Sequence, residues 1–227
     1  MTTRLQVSTI APADETRAAG GPRGWRLTAV AAVFVCLMTA ALLAFYGVAG
    51  DGLRSVIRNT ARTSFVLFIA GFVGPALATL WPARTTRRLA AEQPHLFAGL
   101  AASHLVHAAA IITLAWQTGG ASLEDRGLAV IVAGGLVYLC ILAAALPASA
   151  RAARWLASHP RARAARTAGL YLVWLTFADS YGGRAARSPF YLPFALVAVS
   201  ALALRLLAAL KRRADAPDAA RLAGPAA

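Results

Sequence analysis

A chain of 227 residues, 59% hydrophobic and only 14% charged, with a mean hydropathy of +0.60, is too apolar for an ordinary soluble domain. Its formal charge of +14 would direct a soluble chain to nucleic acid. Here the arginines cluster between long apolar runs, so the charge is read as membrane topology and nucleic acid is not expected as a partner.

In chain order, residues 1–25 are polar, with Gly20, Gly21 and Pro22 near their end, and are read as a disordered cytoplasmic tail. Leu27–Gly50 carries no charge. It is long for a signal-peptide core and has no clear A-x-A site, so it predicts an uncleaved first span. In DGLRSVIRNTARTS, Arg54, Arg58 and Arg62 recur every four residues and share one helix face. That predicts an interfacial extension leading into a second span, Thr63–Ala83. Gly71-x-x-Gly74-Pro75 marks a kink and a close approach of a neighbour, and Trp81 closes the span at the inner interface.

Gln93–Leu123 is uncharged and predicts the third span; Gly127–Ala150 predicts the fourth, with Gly134-Gly135 as another close-approach point. Residues 151–166 read as a basic cytoplasmic loop containing His159-Pro160. Thr167–Ala178 is a short, aromatic fifth span, and Ser188–Leu204 continues past Arg205 to Leu210 as the sixth. Arg205 is expected to snorkel toward the cytoplasmic interface. Residues 212–227 read as a second disordered tail. A hydrocarbon core of about 30 Å needs roughly 20 apolar residues per helix, so the expected fold is all-α and integral to the membrane, a six-helix bundle over 26–211.

Placing both termini in the cytoplasm puts sixteen Lys/Arg on that side and six on the other, as the positive-inside rule requires. The Ala/Arg bias, with Lys211 the only lysine, suggests a GC-rich bacterial source and an inner (plasma) membrane. Cys36 and Cys140 fall mid-span and read as small hydrophobes, with no disulfide framework and no CxxC motif. No GxGxxG or GxxxxGK[ST] fingerprint is present. Any chemistry lies in the membrane or arrives with a partner, because the chain has no room for a flavin or NAD domain of its own.

The third span holds AASHLVHAAAI. At 1.5 Å per residue from Pro94, His104 lies roughly 15 Å in and His107 about 20 Å in, on neighbouring positions of one face. Ionisable side chains at such depth are candidates for function. Three roles stay open: axial ligation of a haem, a proton relay, or polar bonding between helices worth about 0.6–2 kcal/mol. Two imidazoles alone cannot close a small-metal site, which needs about four ligands. His95, at the mouth of the same span, reads as interfacial, and His159 as solvated.

IRNTARTSFVLFIAGF at 57–72, GLAASHLVHAAAI at 99–111, RTAGLYLVWLTFADSYGGRA at 166–185 and SPFYLPFALVAVSALALRL at 188–206 together resemble the bacterial ferric reductase-like transmembrane domain family. That family is related to the haem-binding membrane subunit of the methionine sulfoxide reductase system. The resemblance implies a six-helix bundle holding haem b between histidines of the third and fifth spans, with His104 and His107 matching the third-span pattern as candidate ligands to the haem iron. It implies an electron-transfer protein, a membrane oxidoreductase subunit served by a redox partner protein or a quinone. The fifth span departs from the family: Arg166 stands where a histidine is expected, and Thr167–Ala227 contains none.

Around such a haem, Arg58, Arg62 and Arg166 are candidates for pairing with propionates, or else for anchoring at lipid phosphates. Tyr171 and Trp174 are candidates for flanking a haem edge, or else for packing. Asp179 is read as an ion-pair partner of Arg184 or Arg187, or as a proton-uptake point. A haem-less scaffold or partner-binding subunit of the same fold, and a small proton-coupled transporter, are the competing functions.

Overall fold

The computed structural model describes residues 22–120 and 127–222. The remainder of both expected tails, together with Arg126, lies outside the described residues. Within them there is no strand. The elements are α1 (Pro22–Tyr46), α2 (Gly50–Leu80), α3 (Arg84–Ala91), α4 (Gln93–Gln117), α5 (Gly127–Ala145), α6 (Ala150–Ser158), α7 (Pro160–Ala185) and α8 (Leu192–Leu222). Short 3-10 turns, Leu146–Ala148 and Pro189–Tyr191, follow α5 and precede α8.

Two expected boundaries move. The first helix already includes residues 22–25, and α8 runs on through 212–222 where a tail is expected. Helix-forming Lys, Arg and Ala continue that stretch, and Lys211 bonds Asp215 one turn on at 3.2 Å. The expected loop 151–166 is helical as well. Ser149 caps α6 by accepting from the Ala152 N–H at 3.2 Å, and α7 starts at Pro160, a residue suited to a first helical turn. His159 sits between them, stacked on Trp155 and exposed.

The helices alternate in direction. Residues 60–71 of α2 face 107–97 of α4, since Thr60 meets His107, Ser64 meets Ser103, and Gly71 meets Phe97. α7 runs antiparallel to α5, α2 and α8: Arg166 reaches Ala144, Tyr171 packs on Phe72, Phe177 on Phe65 and Phe68, and Trp174 bonds Ala198. The N-terminal turns of α1 lie against His95 and the C-terminal part of α8 against Thr79, so the start of α1 and the end of α8 share one end of the bundle.

The core is aromatic. Phe65, Phe68 and Phe72 of α2 interlock with Phe97 of α4 and with Phe177 and Tyr181 of α7. Gly71 lets Phe97 seat against α2, and Gly74 lets Leu89 and Ala90 of α3 approach, while the helix runs unbroken through Pro75. Gly134 and Gly135, by contrast, face open space; their expected close approach is made instead at Gly169, against Cys140. Large apolar side chains such as Val30, Leu37, Leu128, Leu139 and Val199 point outward. Five helical segments are long and apolar enough to cross a bilayer: Gly24–Tyr46, Gly50–Leu80, Gln93–Gln117, Gly127–Ala148 and Pro189–Ala216. The fold is therefore that of an all-α, multi-pass membrane protein. α7 is not among the five, because its uncharged stretch between Arg166 and Asp179 is only twelve residues long.

The stretch ahead of the second span is helical and continuous with it from Gly50, and Arg62, expected on the same face as Arg54 and Arg58, is half-buried. Leu53 and Val56 bury against Leu42 and Leu43 of α1 and Ala110 and Leu114 of α4, while Arg54 and Arg58 stay exposed.

Candidate functional site

Both spaced histidines point inward, at α2. His104 is 9% exposed, and its Nδ1 lies 2.9 Å from Ser64 Oγ. His107, half-buried, has its Nδ1 2.9 Å from Thr60 Oγ1. Their ring centroids are 5.5 Å apart. Ser103, the residue before His104, completes the cluster: Ser64 Oγ donates to Ser103 Oγ at 2.9 Å, and Ser103 Oγ donates to the Thr60 carbonyl at 3.3 Å.

A hydroxyl has one proton to give. Ser64 gives its own to Ser103 and so accepts from the His104 Nδ1–H, which leaves the His104 lone pair on Nε2. That pattern orients a ring as an outer hydrogen bond orients a metal-ligating histidine. Thr60 lies 2.7 Å from the Val56 carbonyl and 2.9 Å from His107 Nδ1, and can give its proton to either. The Ser64–Ser103 chain of hydrogen bonds ends on the Thr60 carbonyl.

The cluster spans the α2–α4 seam with hydroxyls that sequence reasoning missed. The available signal was Thr60 and Ser64 four residues apart on an apolar helix, facing Ser103 and His104. Replacing Ser64 with alanine should cost about 1 kcal/mol, within the range for interhelical bonds in membranes. Reversible unfolding of the purified protein in mixed SDS micelles measures it. A loss that persists undiminished when His104 is already alanine would remove the coupling described.

The haem reading requires a second ligand across the bundle and space for the ring. Opposite His104 stands Phe177 of α7, perpendicular at 6.1 Å, and Tyr138 of α5 lies at 5.2 Å. Phe177 in turn packs on Phe65 and Phe68. Arg166 is tied to the Ala144 carbonyl at 3.1 Å and stacks over Phe97 at 5.7 Å; a guanidinium has no lone pair for iron. The three candidate propionate partners are not brought together. Arg58 bonds Ser55 toward one end of the bundle, Arg62 stacks on Phe190 at that same end, and Arg166 lies toward the other. Tyr171 accepts from Arg205 Nε at 3.2 Å, and Trp174 donates to the Ala198 carbonyl at 2.8 Å, so both serve the α7–α8 seam. The third-span histidines fit one side of a haem; the facing residues do not fit a haem ligated from both helices. Among the described residues no group of three or more His, Cys, Asp or Glu gathers for a metal ion.

Three further residues depart from expectation. His95 is wholly buried, with Trp25 at 5.4 Å, and the lack of a Cβ at Gly24 makes room for its ring. Arg205 does not snorkel: its Nη1 donates to the Phe72 carbonyl at 2.8 Å, and its plane stacks on Phe72 at 4.4 Å and Tyr171 at 5.1 Å. Asp179 is exposed and forms no ion pair with Arg184 or Arg187. Cys36 and Cys140 are both free, Cys36 exposed and Cys140 half-buried.

No protein-family model, no curated protein and no solved structure matches the chain.

Proposed function

We propose that the chain is a six-pass protein of a bacterial inner membrane, with both ends cytoplasmic, that acts as a haem-less scaffold or partner-binding subunit of the ferric reductase-like type. The single observation that carries this reading is the aromatic filling between His104 and α7, where Phe177 occupies the side a haem would need. The clustered histidines then serve to lock α4 onto α2. The sixth traversal is supported by α7 itself. Its contacts from Arg166 to Tyr181 run along the whole core, a rise of about 22 Å, antiparallel to three neighbours. An even number of crossings returns the C-terminus to the side of the N-terminus, and the arginine asymmetry supports the cytoplasm as that side.

A second reading, a b-type haem electron-transfer protein fed by a quinone or a redox partner protein, is favoured by one observation. His104 presents its Nε2 lone pair with the ring held from behind by Ser64. The visible spectrum of protein purified from haem-replete membranes separates the two. We expect no Soret band, oxidised or dithionite-reduced. A Soret band that shifts on reduction, and disappears in the His104→Ala/His107→Ala variant, would replace the scaffold reading with the redox one.

A further inference from the structure

We propose that the non-cytoplasmic end of the bundle carries a built binding site for an anionic phospholipid. Arg62 and Arg184 would hold its phosphate, and one acyl chain would lie in the apolar groove between α1, α2 and α8. The proposal is independent of the haem question.

Charge is the first argument. The Arg62 guanidinium stacks over Phe190 at 5.0 Å and lies 5.9 Å from the Tyr191 ring. Arg184 lies 5.7 Å from that Tyr191 ring and 6.0 Å from Tyr181. Neither arginine has a carboxylate partner among the described residues, where the ion pairs are Arg54–Asp51 and Lys211–Asp215. Two guanidiniums converging on one aromatic ring repel each other unless an anion sits between them.

A buried donor is the second. Tyr181 is 1% exposed, yet its hydroxyl has no hydrogen-bond partner, and the Arg184 guanidinium lies 6.0 Å from its ring. A buried hydroxyl without a partner is costly; beside a cation it is suited to donate to an oxyanion.

Shape is the third. Arg62 stands against the α7–α8 turn, stacked on Phe190 and close to Tyr191, where the chain reverses between two spans. It also lines a cavity of about 570 Å³ walled by Leu27, Val30, Phe34, Val66 and Phe194. A second cavity of about 370 Å³ continues past the same Val66 and Phe194 along Ile69 and Val197. Cationic head and apolar trough are continuous. A free inorganic anion would use only the first, whereas a phospholipid uses both.

The test is lipid retention by the full chain in detergent, read by native mass spectrometry and by the shift in thermal unfolding on adding lipid. Phosphatidylglycerol should be retained and should raise the unfolding temperature, and phosphatidylcholine should not. The Arg62→Gln/Arg184→Gln variant should bind phosphatidylglycerol at least about tenfold more weakly, and Tyr181→Phe about threefold more weakly. Arg54→Gln/Arg187→Gln removes the same two charges nearby and should bind as the parent does. That control also separates site loss from loss of the fold, since unfolding of each lipid-free variant is measured alongside. Equal retention of both lipids, or unchanged phosphatidylglycerol binding by the Arg62/Arg184 variant, would overturn the proposal. So would sodium phosphate stabilising the protein as well as the lipid does, which would make it a free-anion site.

Discussion

Phe177→Ala is expected to destabilise the bundle by about 2–3 kcal/mol and to uncover one face of His104. Phe177 is 9% exposed and touches Phe65, Phe68, Tyr181 and His104, with ring centroids at 5.5, 5.4, 6.3 and 6.1 Å. In water-soluble cores a Phe→Ala change costs about 3–5 kcal/mol, of which part is transfer of apolar surface from water and part is the cavity left behind. Lipid is as apolar as the bundle interior, so the transfer part largely vanishes and the lost packing remains. Unfolding in mixed SDS micelles reads the energy. Haemin added to the purified variant reads the second consequence, because the variant should show an imidazole-type Soret band where the parent shows none. A stability change under about 0.5 kcal/mol, well short of the expected cavity cost, would mean that Phe177 does not fill the space beside His104.

Gly71→Val should be at least as damaging, at about 3 kcal/mol. A Cβ at Gly71 would stand 2.8 Å from Phe97 Cε1, and 3.1 and 3.2 Å from two further ring atoms. Phe97 is fully buried between Phe68 and the stacked Arg166 and has nowhere to go. Valine adds two methyls beyond that Cβ, and overpacking of this kind costs about 1–3 kcal/mol by itself. Separating the helices would also stretch the bond from Gln93 Nε2 to the Gly71 carbonyl, now 2.8 Å. Gly134→Ala supplies the contrast. Nothing lies within 4 Å of a Cβ there, so the change should raise stability by about 0.5–1 kcal/mol through helix propensity alone. The same micelle unfolding measures both. Equal effects at the two glycines would deny Gly71 its place in the seam.

Much of the architecture is legible in the chain because lipid imposes a length and a composition on whatever crosses it. The uncharged runs at Leu27, Thr63, Gln93, Gly127 and Ser188 each mark a long helix. The Arg54/Arg58 stripe marks a face turned away from Leu53 and Val56, since the three-to-four residue period is set by backbone geometry. Helical content in the basic segments was not legible. Residues 151–166 and 212–222 lack an apolar run, and their helices depend on a cap at Ser149, a proline start at 160 and a Lys211–Asp215 pair, features too local to stand out.

The site divides in the same way. That His104 and His107 face the bundle interior follows from depth and spacing, because an imidazole turned to lipid loses its hydrogen bonds. Which helix they meet does not follow, and it is α2 rather than α7. Arg205 shows the limit most clearly. A cation one turn from a span's end can snorkel or turn inward, and only the nearby Phe72 carbonyl and the Tyr171 ring and hydroxyl make the inward position the better one. Composition and period thus determined a multi-pass helical bundle with polar residues at mid-depth, since those depend on each residue and the solvent around it. Tertiary structure alone decided that hydroxyls hold the histidines and phenylalanine fills the space beyond them, since short-range packing depends on residues forty to seventy positions apart meeting within a few ångströms.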